Sequence, residues 1–149
     1  MVVKNHLKRR ETILPTELAR NPWGVILQHQ EDRIVELRWL PSTATMADGA
    51  FKATLALFAT EAEKVRPPFL LIDALQFRHE FGEGVMEWRD DHIIPRYGAA
   101  GVRKFAFHVP EGFPNTIEAG GREAFEGQAI FPTAWFSVRA HALEWFRRE

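Results

Sequence analysis

The densest group of polar side chains lies between residues 79 and 92. It holds two histidines and five acids: His79, Glu80, Glu83, Glu87, Asp90, Asp91 and His92. Three of the acids recur at intervals of four residues, so a helix places them on one face, where carboxylates can bind a divalent cation. In the alternative, Val85, Trp88 and His92 form the buried stripe and the acids face solvent. We favour this alternative and predict no metal site, because no His-Glu-x-x-His spacing occurs.

Asp73 is the strongest single candidate for a binding or catalytic side chain. It ends the apolar run 69–72, and ligands of open α/β sheets bind beyond the carboxyl ends of parallel strands. Alternatively, Asp73 braces the loop that follows it, as aspartates in turns often do. Asp73 and five later residues make up the predicted surface for a ligand or partner: Phe77, His79, Phe81, Trp88 and His92.

Motifs for covalent catalysis and phosphate binding are absent from the sequence. Ser42 and Ser137 are its only serines, and neither lies in a Gly-x-Ser-x-Gly elbow. The segment 82–84 (Gly-Glu-Gly) lacks the third glycine of a dinucleotide fingerprint, and no cysteine can ligate zinc. We therefore predict no catalytic residue and no cofactor. An enzyme that uses Asp73 with His79 or His92 as acid and base is the least favoured hypothesis.

The elements that position these residues are those of an α/β domain. Apolar runs at 25–30 and 33–40 flank a polar corner and predict a hairpin. Phe51, Leu55, Phe58, Ala62 and Val65 are spaced as one stripe of an amphipathic helix. Thr45 and Asp48 resemble a capping box before it, and the two prolines at 67–68 end it.

The second half of the chain predicts parallel strands. Apolar runs at 69–72 and 104–109 lie about 30 residues apart with a helix over 82–94 that ends at Pro95, which is typical of a right-handed βαβ unit. Residues 111–128 predict a loop with at most a short helix at 122–126. A strand at 134–136 follows, and Ser137 caps a last helix. The predicted order is β-β-α-β-α-β-(α)-β-α, one mixed sheet of about five strands packed with helices.

This order and several local patterns resemble the STAS superfamily, within it the SpoIIAA-like group of anti-sigma-factor antagonists. The resemblance rests on the opening hairpin and three later segments: 70–73 (Leu-Leu-Ile-Asp), 104–107 (Lys-Phe-Ala-Phe) and 136–146. It covers about residues 23–149 and implies a small regulatory domain that acts through surfaces or a pocket. The antagonists are phosphorylated on a serine after the Asp-ended strand. Between Thr60 and Thr116 this chain has no hydroxyl residue except Tyr97, so we expect no such switch.

Charge and composition limit the classes to which the protein can belong. The 149 residues carry 19 basic and 20 acidic side chains and include 46% hydrophobic residues, which is ordinary globular composition. Residues 1–22 form a predicted basic arm before a single domain at 23–149. We interpret the arm as a solvated terminus rather than a nucleic-acid-binding segment, and we predict a cytoplasmic protein because neither a secretory signal nor a membrane span is evident.

Two functional hypotheses remain ahead of the enzyme. The first is a non-catalytic STAS-type regulatory or interaction domain, a homodimer or a binder of another protein. The second is a carrier of a small apolar or lipid-like ligand in an aromatic cavity. The residues expected to line that cavity are Phe51, Phe58, Phe77, Trp88 and Trp135. Open space beyond the end of the 69–73 strand would favour the carrier.

Overall fold

The computed structural model describes residues 14–118, 121, 123–125 and 129–148. These residues contain one sheet of six strands, whose spatial order is the order of the chain. The strands are β1 (Thr16–Asn21), β2 (Gly24–His29), β3 (Ile34–Trp39), β4 (Phe69–Asp73), β5 (Lys104–His108) and β6 (Thr133–Phe136). β1, β2 and β3 pair antiparallel, and β3 to β6 pair parallel. The predicted α/β class, the hairpin and the parallel pair are therefore confirmed.

The sheet has one strand more than the five that the sequence predicted. Thr16–Asn21, which we assigned to the basic arm, pairs with β2 and forms an edge of the sheet. The hydrophobic pattern of this strand is weak because all six of its residues are exposed or half-buried. The sheet thus begins inside the predicted arm. Residues 1–13, which carry most of the arm's charge, lie outside the described residues.

Helices cover both faces of the sheet. They are α1 (Asp48–Val65), α2 (Val85–His92), α3 (Ile94–Ala99) and α4 (Arg139–Arg147), and a 3-10 helix (Pro41–Thr45) precedes α1. Residues of α1, α2 and α3 share one hydrophobic core with the sheet, and residues of α4 share another. We call the two sides of the sheet the α1 face and the α4 face.

Strand alternation divides the side chains between the two cores. In β3, Val35, Leu37 and Trp39 are buried on the α1 face, and Ile34 is buried on the α4 face. The predicted α1 stripe is confirmed for its first four members, which are buried, and Val65 is partly buried. Because both faces are covered, β4 and β5 are apolar on both sides and show no alternation in the sequence.

Both predicted helix caps are wrong. α1 begins after Ala47, and no side chain caps it. The Asp48 carboxylate instead accepts hydrogen bonds from the loop that follows β4. Ser137 does not cap α4 either: the Glu118 side chain accepts from the backbone N–H groups of Ser137 and Val138. In both places a distant part of the chain outcompetes the local hydrogen bond that the sequence suggested.

Two helix boundaries also differ from prediction. Pro95 does not end the helical region but lies in the first turn of α3, where its missing N–H leaves no helical bond unmade. The described residues of the predicted helix at 122–126 are not helical, and Ala124 instead forms an isolated antiparallel bridge with Thr133. Arg122 and Glu126 lie outside the described residues.

Candidate functional site

An apolar pocket of about 300 Å³ lies on the α1 face at the carboxyl ends of the parallel strands. Nine of its fifteen lining residues are aromatic. The sheet contributes Trp39, Ile72, Phe105, Phe107 and Trp135. Phe107 and Trp135 are parallel, with ring centroids 5.7 Å apart, and form a flat wall on β5 and β6. We call this space the aromatic pocket.

The loop 74–84 supplies another wall of the aromatic pocket. Phe77 and Phe81 from this loop both line the pocket. Phe77 packs edge-on against Trp39 at 5.1 Å between centroids, and Phe81 packs edge-on against Phe51 of α1 at 4.8 Å. Phe81 retains 43% of its exposure, which places it at the boundary between pocket and solvent. Aromatic contacts of this kind stabilise the loop beyond the area they bury.

A polar clasp holds the loop against the start of α1. The Asp48 carboxylate accepts a hydrogen bond from His79 Nε2 at 2.7 Å and another from the backbone N–H of Gly82 at 3.1 Å. These bonds, the one from His79 first, lower the pKa of Asp48 below its usual value. A Cβ atom at position 82 would overlap the carboxylate, so only glycine permits this close approach. We call these three residues the clasp.

Thr43 anchors the loop at a second point. Its side chain is fully buried, its Oγ1 donates to the carbonyl of Leu40 at 2.9 Å, and the same oxygen accepts from the backbone N–H of Arg78 at 2.8 Å. A buried hydroxyl that both donates and accepts has its main hydrogen-bonding needs met. The loop is therefore held at Arg78 and His79 before Phe81 and at Gly82 after it, which fixes the backbone from which Phe81 reaches the pocket.

The aromatic pocket carries little charge. Within the described chain, Arg89 is its only ionisable lining residue besides Tyr97, and the Arg89 guanidinium donates to Asp90 at 2.8 Å. Burial raises the pKa of Tyr97 far above its usual value, so its hydroxyl stays neutral. Because Arg89 is ion-paired and the Tyr97 hydroxyl is neutral, the pocket suits uncharged apolar molecules.

Asp73 does not belong to this pocket. Its side chain lies on the α4 face, where it approaches Arg38 Nε at 3.6 Å and accepts from the backbone N–H of Leu75 at 3.0 Å. The second contact is the loop-bracing role that we considered as the alternative. His79 contacts the clasp and the aromatic rings on the other face, so the contacts of the two residues give no acid–base pair.

The other residues predicted for the site lie in the pocket wall, in the core or at the surface. Phe77 and Phe81 line the pocket with Phe51 and Trp135, whereas Phe58 is wholly buried in the core and Trp88 does not line the pocket. Trp88 lies half-buried below the Lys52 ammonium, 5.4 Å from its ring centroid. His92 is exposed, so its predicted place in a buried stripe is wrong. Ile93, which directly follows α2, is buried instead.

A charged cluster that the sequence does not predict lies on the α4 face. Glu36 is fully buried and accepts from His29 at 2.7 Å and from Arg139 at 2.8 Å, and Arg38 lies 3.2 Å from its second oxygen. Burial opposes ionisation of Glu36, but these hydrogen bonds and charges lower its pKa to about 2. The alternation of β3 hid this residue, because a charge at that position normally indicates a solvent-facing side.

Among the described residues, no group of three or more histidine, aspartate and glutamate side chains is arranged to hold a metal ion. The exposed acids of α2 also lie apart from the pocket.

Comparison with known proteins gives no relative. The chain matches no family model, no curated protein and no solved structure. In the part of the chain that the structure describes, no helix combines the length and hydrophobicity needed to cross a membrane.

Proposed function

We propose that the protein binds a small, uncharged, apolar ligand in the aromatic pocket. The observation that carries this proposal is the open volume of about 300 Å³ beyond β4, walled mainly by aromatic rings. Ligand pockets are typically concave and apolar with few polar groups, and their volumes begin at about 300 Å³. A dry cavity of about 150 Å³ is enough for benzene, so this pocket suits a molecule of two or three small rings, or a short branched chain.

The open space favours the carrier over the interaction domain as the primary function. A domain that acted only through its outer surface would gain stability by filling this space with side chains. The chain instead keeps the space and secures the loop beside it with the clasp and Thr43. The STAS resemblance, the homodimer and a protein partner remain predictions.

The test uses N-phenyl-1-naphthylamine, an uncharged probe that fluoresces in apolar surroundings. We expect saturable binding of the probe with quenching of tryptophan emission, because Trp39 and Trp135 line the pocket. Ala74 also lines the pocket, and Ala74→Phe places a ring in the space. This substitution should weaken binding at least tenfold, a loss of about 1.4 kcal/mol.

The matched control is Ala44→Phe, at an exposed position of the 3-10 helix that does not line the pocket. It should bind the probe like the unsubstituted protein. Equal binding by both variants would refute the proposal, because the probe would then sit elsewhere. If Ala74→Phe also retains its unfolding temperature, its loss of binding reflects occupation of the pocket and not loss of the fold.

A further inference from the structure

A second open space lies at the opposite end of the sheet. It has a volume of about 340 Å³ and adjoins the amino ends of the parallel strands. Five of its lining residues are cationic and two are acidic: Arg33, Arg103, Lys104, Arg147, Arg148, Glu31 and Asp32. The chain as a whole has a formal charge of −1, so this excess of positive charge is local. We call this space the basic groove.

Part of the positive charge in the basic groove is already paired. Arg147 donates to Asp32 at 2.9 Å, and Lys104 Nζ donates to the carbonyls of Trp145 and Arg148 at the end of α4. In the described part of the chain, no carboxylate forms an ion pair with Arg33, Arg103 or Arg148, all of which are exposed. The groove thus presents three guanidinium groups to solvent.

Phe69 fixes the position of two of these arginines. The guanidinium carbons of Arg33 and Arg103 lie 5.7 Å and 5.8 Å from the centroid of the Phe69 ring. Arg33 and Arg103 directly precede strands β3 and β5, which flank β4, so the sheet holds both backbones on either side of the ring. Arg33 also has a left-handed backbone, φ 59°, an unfavourable conformation for arginine. Two like charges are therefore held near one ring, and neither forms an ion pair with a described carboxylate.

We propose that the basic groove binds a compact phosphorylated anion with two or more negative charges. Planar guanidinium groups match phosphate oxygens in pairs and are weakly hydrated, and a cleft lined by one sign of charge concentrates the opposite ion. Phe69 and Phe146 beneath the groove are only 6% and 3% exposed. They leave no ring face on which a base could stack, so recognition is confined to the phosphate groups.

The test is calorimetric titration of the full chain with inorganic tripolyphosphate at low salt. The unsubstituted protein should bind it, and the double variant Arg33→Gln, Arg103→Gln should bind about tenfold more weakly. The matched control is Arg20→Gln, Lys64→Gln, which removes the same charge from exposed positions outside both the groove and the aromatic pocket. Its affinity should stay within about twofold of the unsubstituted protein, since distant exposed charges are screened.

Three results would overturn the proposal. The first is the absence of measurable binding at millimolar tripolyphosphate. The second is an equal loss of affinity in both double variants, which indicates attraction by net charge alone. The third is that a hexaglutamate peptide binds as tightly as tripolyphosphate, which assigns the groove to an acidic peptide. Circular dichroism of both variants establishes that they are folded, and the aromatic-pocket probe should bind both unchanged.

Discussion

Glu36 is the residue at which burial and charge conflict most directly. A fully buried carboxylate would ordinarily be neutral, yet three cationic or imidazole side chains surround it and keep it ionised. Its partners come from β2, β3 and α4, so the ion pairs join the hairpin to the last helix across the α4 face. This cluster supports the fold by joining elements that are distant in the chain.

The Glu36 pKa predicts loss of stability in acid. Its value of about 2 in the folded protein is below the value of 4.5 expected when the chain is unfolded. The stabilisation is therefore complete above about pH 4.5 and is lost as the pH falls from there towards 2. This difference in the pKa of Glu36 contributes on the order of 3 kcal/mol to the free energy of unfolding. Urea unfolding between pH 2.5 and 6 measures it.

Glu36→Gln checks the assignment of this acid sensitivity. The variant should lose about 3 kcal/mol at pH 7, because it leaves the half-buried guanidinium groups of Arg38 and Arg139 without their anion. It should also show a shallower decline of stability below pH 4.5. Glu17→Gln is the control, since Glu17 forms only an exposed ion pair with Arg20. A control variant with the same loss would show that Glu36 is not the responsible group.

At the scale of elements, the loop 74–84 depends on contacts distant in sequence. Asp48→Ala removes the acceptor of both clasp bonds, so the loop should open more often. Hydrogen exchange at the amides of residues 79–82 should accelerate about tenfold or more, while exchange in β4 stays unchanged. The control is Glu63→Ala. Glu63 lies on α1 like Asp48, and its ion pair with Arg96 of α3 is exposed. Unchanged exchange in Asp48→Ala would mean that the aromatic contacts and the Thr43 hydrogen bond hold the loop without the clasp.

The edge strand β1 is fastened to the rest of the sheet by Asn21. Its Oδ1 accepts from the backbone N–H groups of Trp23 and Gly24 at 2.8 Å and 2.9 Å, and its Nδ2 donates to Thr54 Oγ1 of α1 at 2.9 Å. Asn21→Ala should lower the free energy of unfolding by about 1–3 kcal/mol, because three partners lose a hydrogen bond. Asn115→Ala in an exposed turn should change it by less than about 0.5 kcal/mol. Equal values for the two variants would contradict this role.

At the scale of the whole molecule, one sheet connects two hydrophobic cores. Trp39 reports on the α1 face and Trp145 on the α4 face, and both are buried. Because β3, β4 and β5 contribute side chains to both cores, we expect the two faces to unfold together. Urea unfolding of Trp39→Phe and of Trp145→Phe should be followed by tryptophan fluorescence and by circular dichroism. In each variant the two signals should give the same unfolding midpoint. A separate early transition on the α4 face would contradict this expectation.

Much of the architecture follows from local patterns in the chain. The stripe that begins at Phe51 predicts α1, and the apolar runs that begin at Phe69 and Phe105 predict the buried parallel strands β4 and β5. Edge strand β1 escaped prediction because an edge strand needs few apolar side chains when its backbone pairs on one side only. Asp73 was correctly placed at a strand end, but alternation in β4 directs it away from the pocket.

The sequence by itself determined the α/β class, the hairpin, α1 and the parallel core, because hydrophobic periodicity acts over a few residues. Tertiary structure alone decided which face each polar residue joins: Glu36 between three partners, Asp48 with the loop 74–84, and Arg33 and Arg103 beside Phe69. These groupings arise from strand register and helix packing, which bring together residues far apart in the chain. No local spacing encodes them.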